Sequence, residues 1–229
     1  MQKDVIDQIR AEQQFVSALH QFNYAAQEQQ IKHLIFQAST AAQHIPQFNQ
    51  WPKNAEQFWN AESIVWRARI DQDVRNGITA ELSFLNGANV DLGAGSVCYV
   101  KNSVAVDFSE EMLHINNTEQ KIKANLEVSL PINDQQYNSA TLIFAVSYIK
   151  NLQGLFNEVH RILNDNGTIA IVQGKNVHGL HQMHYKNNHG EAELRMLLQY
   201  AGFVVDSYTK TIAGKELLFL IGQKAIKSL

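Results

Sequence analysis

The chain has 229 residues, of which 45% are hydrophobic, and its formal net charge is −3. This suits one globular domain with an appendage, and the near balance of acids and bases, without a long basic run, argues against nucleic acid as a partner. No apolar stretch reaches membrane-spanning length, the first residues lack a secretion-signal pattern, and Cys98 is the single cysteine. We therefore expect a cytoplasmic protein without a membrane anchor or an intrachain disulfide.

The first part of the chain shows the helical spacing of apolar side chains. Two sets within the first 40 residues are out of phase, which predicts a bend or two separate helices. After a proline-containing loop, apolar residues at four-residue steps from Trp66 to Leu82 predict one further helix that ends at Gly87. We assign residues 1–87 to an N-terminal helical cap.

From residue 88 onward, short apolar runs alternate with helical patterns. The strand-like runs are ANVDL, SVAVDF, KIKANLE, ATLIFAVSY, TIAIVQG, FVVDSYT and ELLFLIGQ. Alternation of this kind predicts a mainly parallel sheet covered on both faces. The last two runs are joined by the tight connection KTIAGK, which predicts an antiparallel pair. The expected fold of residues 88–229 is therefore α/β, a doubly wound, Rossmann-like, seven-stranded sheet with a C-terminal antiparallel hairpin.

A glycine-rich turn, DLGAGS, follows the first predicted strand, and Asp107 closes the second. Ligands of open parallel sheets bind beyond the carboxyl ends of the strands, so both features should face one ligand. Gly93 and Gly95 allow the backbone to approach that ligand, and a carboxylate at position 107 can accept both hydroxyl protons of a ribose. The pattern predicts an adenosine site.

The spacing of these residues narrows the choice of adenosine cofactor. A dinucleotide site requires G-x-G-x-x-G/A, a full crossover helix and an acid about 20 residues further on. Here Cys98 stands at the third glycine position and Asp107 comes too early, which disfavours NAD and flavins. A Walker-type phosphate loop is excluded because no Lys-Ser or Lys-Thr follows the glycines.

Together these segments resemble the class I S-adenosylmethionine-dependent methyltransferases, in particular the small-molecule, methyltransferase-11-like group. The family's motifs occur in its usual order over residues 88 to about 223, as VDLGAG, VAVDFSEEML, SLPIND, LFNEVHRILNDNGTIAIVQG and AGFVVDSYT…LLFLIGQ. The resemblance implies S-adenosyl-L-methionine as cofactor, S-adenosyl-L-homocysteine as product, and a small-molecule methyl acceptor.

The resemblance also implies roles for ten residues of the cofactor site. The glycine-rich turn would pass under the methionine part, Asp107 would hold the ribose with Phe108 beside the adenine, and the end of the fourth strand would lie beside the reactive methyl group. The ten are Asp91, Gly93, Ala94, Gly95, Asp107, Phe108, Asn125, Leu126, Phe144 and Ala145.

Three features depart from the family's pattern. The stretch between Gly95 and Val104 is short for a crossover, so we expect its helix to be cut to about one turn. Asn125 stands where an acid is common, and Tyr137-Asn138 lacks the usual aspartate. A non-catalytic relative that only binds the cofactor therefore stays open as an alternative.

Catalytic residues are less defined, because methyl transfer from a sulfonium is a direct displacement in which an acid or base is optional. The candidates for a base are His178 and His181, after the fifth strand, and Tyr148, after the fourth. Solvated loop histidines and a strand-capping tyrosine are the simpler interpretation. We expect no metal site, since no cysteine or paired carboxylate completes the histidine-rich segment NVHGLHQMHYKNNH, which holds His178, His181, His184 and His189.

The cap segment raises a last set of hypotheses. Phe58, Trp59 and Trp66 are predicted to form a lid over the pocket, and the alternative is that they only fix a helix to the sheet. The glutamine-rich start is compatible with a homodimer interface, a lid or a solvated surface. A methyltransferase for RNA or protein is the other alternative function, although the near-neutral composition argues against RNA.

Overall fold

The structure, a computed structural model, describes residues 2–22, 28–174 and 185–225. It contains two compact units, one made of the described residues up to Arg69 and one that begins at Ile70 and continues to the end of the described chain. The last helix before the sheet thus belongs to the second unit. A functional division at residue 87 stays a prediction.

The first unit is helical. Its helices are α1 (Gln2–Gln21), α2 (Glu28–Ala42) and α3 (Ala55–Arg69), with a 3-10 turn at Pro46–Phe48. The two out-of-phase apolar sets are therefore separate helices. The rings of Phe15, Phe22 and Phe58 surround buried Trp51 at centroid distances of 5.3, 6.4 and 6.3 Å. Aromatic rings bury large apolar areas, so this cluster gives the unit a core of its own.

A buried ion pair closes the end of α3. The Arg69 guanidinium donates to both carboxylate oxygens of Glu62, at 2.7 and 2.8 Å, and to the backbone oxygen of Leu19 at 2.9 Å. The Glu62 and Arg69 side chains are 0% and 4% exposed. The bond to Leu19 joins the end of α3 to α1. Removing one member of the ion pair would leave a buried charge without its partner.

The single helix expected from Trp66 to Leu82 is wrong. Helix α3 ends at Arg69, and a separate helix, α4 (Gln72–Glu81), begins after Asp71, whose ψ of 144° is not helical. Aspartate is favoured at such positions before a helix. The four-residue spacing of apolar residues continues from α3 into α4, so the spacing alone does not indicate that the helix is interrupted. Gly87 does not end the helix but forms a turn with a φ of +83° before the first strand.

The second unit is built on a seven-stranded sheet in the order β3-β2-β1-β4-β5-β7-β6. The strands are β1 (Asn89–Leu92), β2 (Ser103–Asp107), β3 (Lys121–Lys123), β4 (Tyr137–Ile143), β5 (Leu163–Gly174), β6 (Phe203–Ile212) and β7 (Lys215–Lys224). The helices after β1 are α5 (Glu110–Ile115), α6 (Leu152–Ile162) and α7 (Glu191–Tyr200). β7 runs antiparallel to β5 and β6, whereas the other neighbouring strands pair in parallel, so the predicted mainly parallel sheet with a terminal hairpin is confirmed.

Both faces of this sheet are covered. On one face, residues of α6 and α7 such as Phe156 and Leu198 pack with β4 and β5. On the other face, Val74 and Ile78 of α4 pack against β5 and β7. The strand order reverses beside β1, and ligands of such sheets bind at this switch point. Within the described residues, no helix is long and apolar enough to cross a membrane.

Arg161 fixes the connection between β3 and β4, which has no helix. Its guanidinium donates to the carboxylates of Glu158 and Asp134 at 2.8 and 2.7 Å, and to the backbone oxygens of Ile132 and Leu130 at 2.8 and 3.3 Å. The hydrogen bond from Arg161 is the main cause that lowers the pKa of Glu158 to about 2, from an ordinary value of 4.5.

We expect Arg161→Gln to lower the free energy of unfolding at pH 7 by roughly 1–3 kcal/mol, the usual range for hydrogen bonds to charged groups. The lowered pKa of Glu158 means that its stabilisation is present above pH 4.5 and is lost as the pH falls towards 2. Denaturant unfolding at pH 7 and pH 3 should therefore show a smaller difference between variant and parent at pH 3. Arg10→Gln, at an exposed arginine of α1, is the control and should have little effect at either pH. An equal loss for Arg161→Gln at both pH values would contradict the account.

Candidate functional site

The glycine-rich turn leaves β1 in the conformation that its glycines permit. Gly93 and Gly95 have φ values of +69° and +54°. The backbone N–H groups of Gly93 and Ala94 both donate to the oxygen of Val106 in β2, at 2.8 and 3.1 Å. A Cβ on Gly93 would lie 2.9 Å from the Cβ of Ala145, just beyond β4, and 3.7 Å from Leu126. The fold thus brings three of the predicted site regions together.

Asp107 links the ends of β1 and β2. Its carboxylate accepts hydrogen bonds from the backbone N–H groups of Gly95 and Ser109, both at 2.9 Å, and the residue is only 7% exposed. Burial raises the pKa of Asp107, and the backbone N–H donors oppose that shift. The N–H of Phe108 is a third backbone donor to this carboxylate, which has about four lone-pair positions and can therefore still accept a hydrogen bond. The next residue, Phe108, is half-buried in the turn that leads to α5.

Asp91 lies in β1 directly before the glycines and is 1% exposed. Its Oδ1 accepts a hydrogen bond from the Thr141 hydroxyl at 2.9 Å, whereas its Oδ2 finds no partner among the described residues. Burial raises the pKa of Asp91 to about 7. The hydroxyl of Ser96, in the same turn, is also buried without a partner in this part of the chain. Buried polar atoms are rarely left unpaired, which indicates that a ligand or water completes this site.

The shortened first crossover contains no helix at all, so the expected single turn of helix is wrong. Residues 93–102 form turns that two asparagines behind α5 hold in place. Asn116 donates to the backbone oxygen of Gly95 at 2.7 Å, and Asn117 accepts from the N–H of Cys98 at 2.8 Å. Asparagine side chains commonly replace backbone partners in turns, so the Asn-Asn pair of the sequence is a signal for this arrangement.

The connection after β3 carries Asn125 and Leu126. The Asn125 side chain accepts a hydrogen bond from the N–H of Glu127 at 3.0 Å, and Leu126 is buried. Glu127, which the sequence did not single out, accepts hydrogen bonds from the N–H groups of Lys150 and Asn151 at 2.6 and 3.1 Å. This carboxylate therefore joins the connections that follow β3 and β4 on the predicted adenine side.

Phe144 directly follows β4 and has a φ of +57°. Its N–H donates to the oxygen of Val172 in β5 at 2.8 Å, which holds this conformation. Left-handed backbone is rare for a bulky residue, and strain of this kind clusters at functional sites. The strained residue precedes Ala145, which contacts the glycine-rich turn.

Of the three candidate bases, Tyr148 lies within the described residues. His178 and His181 lie outside the described residues. Tyr148 is in the 3-10 turn Val146–Tyr148 after β4, and its ring meets that of Tyr185 edge to face at 5.1 Å. His189 places Nδ1 3.2 Å from a carboxylate oxygen of Glu193 at the start of α7, which agrees with a plain helix-end role. In the described ranges, no three potential metal ligands come together.

The predicted lid residues lie in the helical unit. Phe58 is 1% exposed and meets Trp59 edge to face at 5.3 Å, and Trp59 meets Trp66 at 5.4 Å. Phe58 is thus a core residue of its own unit. The lid role of the two tryptophans stays a prediction.

All three tryptophans of the chain, Trp51, Trp59 and Trp66, belong to the helical unit, which makes the lid testable without truncation. If this unit covers the cofactor, adding S-adenosylhomocysteine should change the tryptophan emission, and the change should disappear in Trp59→Phe or Trp66→Phe. Calorimetry on the same sample verifies binding. Saturating binding with unchanged emission would show that the helical unit is not a lid.

A family model described as a methyltransferase domain matches residues 85–171, which hold β1 to β4, α5, α6 and most of β5. Among curated proteins, the demethylmenaquinone methyltransferase of Leptospira interrogans is 24% identical over 138 residues, covering 52% of this chain and 55% of the relative. The chain thus spans about half the length of the curated relatives that it matches.

Solved structures with a similar fold include three methyltransferases. One from Haloferax volcanii, in complex with the Trm112 methyltransferase activator, has a TM-score of 0.60 at 19% identity and covers 73% of this chain and 98% of its own. A Thermotoga maritima protein described as a possible histamine N-methyltransferase gives 0.57 at 18% identity, covering 74% and 97%. A Bacillus halodurans protein gives 0.54 at 14% identity, covering 66% and 98%. Residues 85–171 are thus similar to a methyltransferase-domain family, and the chain shares its fold with S-adenosylmethionine-dependent methyltransferases of known structure.

Proposed function

We propose that this chain binds S-adenosyl-L-methionine at the carboxyl edge of β1, β2 and β4 and transfers its methyl group to a small-molecule acceptor. The observation that carries the proposal is the junction at Gly93. The glycine-rich turn meets Ala145 there, and the neighbouring Gly95 is bound to Asp107. Backbone without side chains beside a buried carboxylate suits a nucleoside with a short polar tail.

The residues at this edge fit that cofactor. The turn can approach a ligand because Gly93 has no Cβ, and its positive φ is one that other residues rarely adopt. The unpaired atoms Asp91 Oδ2 and Ser96 Oγ supply an acceptor and a hydroxyl for the polar methionine end. Asp107 would accept hydrogen bonds from the ribose hydroxyls, and Leu126 offers an apolar contact for the adenine.

S-adenosylmethionine held by the glycine-rich turn and Asp107 would supply an electrophilic methyl carbon for the lone pair of the acceptor. The protein's part is to align the acceptor with that carbon and to exclude water. Phe144 and Ala145 would line the methyl site, since the strained turn there is held by β5. No general base is required for this role.

A small-molecule acceptor is supported by the curated relative, which is named for demethylmenaquinone, and by the net charge of −3, which does not suit an RNA substrate. The likeness to the methyltransferase bound to Trm112 concerns the fold, at 19% identity. Homodimerisation through the N-terminal helices and a cytoplasmic location stay proposals.

The experiment is to incubate the chain with methyl-labelled S-adenosylmethionine and a set of reduced naphthoquinones, phenols and amines, and to follow label in the organic product together with S-adenosylhomocysteine. We expect transfer to at least one class. Tight cofactor binding with no transfer to any class would instead favour the non-catalytic alternative.

A further inference from the structure

A polar cluster lies at the carboxyl ends of β4 and β5 and is not part of the proposed cofactor site. It consists of Ser147, Tyr148, Gln173 and Tyr185. Ser147 and Tyr148 belong to the turn that follows Ala145, and Gln173 follows Val172, to which Phe144 is bound. The cluster is therefore next to the predicted methyl site along both strands.

The cluster is connected by hydrogen bonds. Gln173 Nε2 donates to the hydroxyl of Ser147, which is 5% exposed. Side-chain hydrogen bonds also join Tyr185 to Ser147 and Tyr148. Burial raises the pKa of Tyr185 despite these bonds, so its phenol keeps its proton at neutral pH.

The backbone around Tyr185 is fixed as well. The N–H of Lys186 donates to the backbone oxygen of Ser147 at 2.8 Å. The Asn187 amide donates to the backbone oxygens of Val146 and Ile149 at 2.8 and 2.7 Å. This side of the cluster is thus preorganised, so a ligand would bind without the free-energy cost of ordering these side chains.

One atom of the cluster lacks a partner. Gln173 Oε1 is buried and receives no hydrogen bond from any described residue, although Nε2 of the same amide is occupied by Ser147. Since the amide is held by its nitrogen, the oxygen presents an acceptor in a fixed position. Buried acceptors are almost always satisfied by protein, water or ligand.

We propose that Gln173 is a positioning residue that selects neutral, aromatic, hydroxyl-bearing methyl acceptors, whose O–H donates to Gln173 Oε1 while the ring lies against the Tyr148–Tyr185 pair. The proposal rests on the proposed function. The cluster's four side chains carry no charge, so they offer no counter-ion to a carboxylate or an ammonium group. The two tyrosine rings, at an interplanar angle of 78°, present the edge and face with which a third ring packs.

The test measures binding in the presence of S-adenosylhomocysteine, which prevents turnover. The probes are 1-naphthol and 1-methoxynaphthalene, in which a methyl group replaces the hydrogen of the hydroxyl and so removes the hydrogen-bond donor. The parent should bind 1-naphthol at least about tenfold more tightly than the ether, since a site built for a hydroxyl rejects the analogue that lacks it. Gln173→Met should abolish that preference while the affinity for S-adenosylhomocysteine stays unchanged. Gln173→Glu, which retains an acceptor oxygen, should keep it.

Gln199→Met, at an exposed glutamine of α7, is the matched control and should behave as the parent does. Equal binding of the two probes by the parent, binding of neither, or a preference that survives in Gln173→Met would each overturn the inference while leaving the proposed function intact. Failure of the parent to bind S-adenosylhomocysteine would overturn the proposed function, and the inference with it.

Discussion

Replacing Asp107 by asparagine is expected to weaken the binding of S-adenosylmethionine by at least about tenfold, because each hydrogen bond to a charged group contributes roughly 1.5–3 kcal/mol. The carboxylate already accepts hydrogen bonds from the N–H groups of Gly95 and Ser109 and is proposed to accept the two ribose hydroxyls as well. An amide has one oxygen, so it cannot serve all of these donors.

Asparagine has nearly the volume of aspartate and can still accept one backbone hydrogen bond, so the variant should fold. Calorimetric titration gives the affinity, and circular dichroism with thermal unfolding verifies the fold. Asp206→Asn, at an exposed position of β6, is the matched control and should bind as the parent does. Unchanged affinity in folded Asp107→Asn would show that the ribose is held elsewhere.

Gly93→Ala is expected to abolish measurable cofactor binding and to destabilise the sheet unit. A left-handed backbone costs a non-glycine residue roughly 1–2 kcal/mol. The new Cβ would also lie 2.9 Å from the Cβ of Ala145, closer than ordinary contact, and would occupy space at the proposed ligand's approach. Both the stability and the affinity should therefore fall.

A variant at Gly214 separates the effect of backbone strain from the effect of the new Cβ near the proposed ligand. It has a φ of +76° in the β6–β7 turn, and a Cβ there would meet nothing within 4 Å. Gly214→Ala should lose roughly 1–2 kcal/mol of stability from the backbone alone and keep its cofactor affinity. Denaturant unfolding and calorimetry on both variants measure the difference. Similar affinities for the two variants would mean that the Gly93 turn does not contact the cofactor.

The sheet could be predicted from the sequence because most strands contain a short apolar run, although β3 is only Lys121–Lys123 and β4 ends at Ile143, before the end of its predicted run. The hairpin of β6 and β7 followed from a connection too short for a helix, and it is observed with Ala213 and Gly214 in left-handed conformations. The break at Asp71 could not be predicted in this way, since the apolar period continues through it. The backbone conformation of Asp71 separates the two helices, and the spacing of hydrophobic residues does not indicate backbone conformation.

The candidate site was predictable only in its backbone parts. The glycines and Asp107 carry a local signal in the sequence. Glycine is the residue type that readily adopts the positive φ observed here, and Asp107 is an acid at the end of an apolar run. Glu127 and Gln173 carry none. Their roles come from partners, Lys150 and Ser147, that the fold brings close from other strands or connections.

The central claim is that this edge of the sheet binds the adenosyl cofactor, and the most direct measurement is calorimetric titration of the whole chain with S-adenosylmethionine, S-adenosylhomocysteine, NAD and FAD. The account predicts saturable binding of both adenosyl compounds at one site, and no heat of binding from either dinucleotide. Saturable binding of NAD or FAD, with no response to either adenosyl compound, would contradict it.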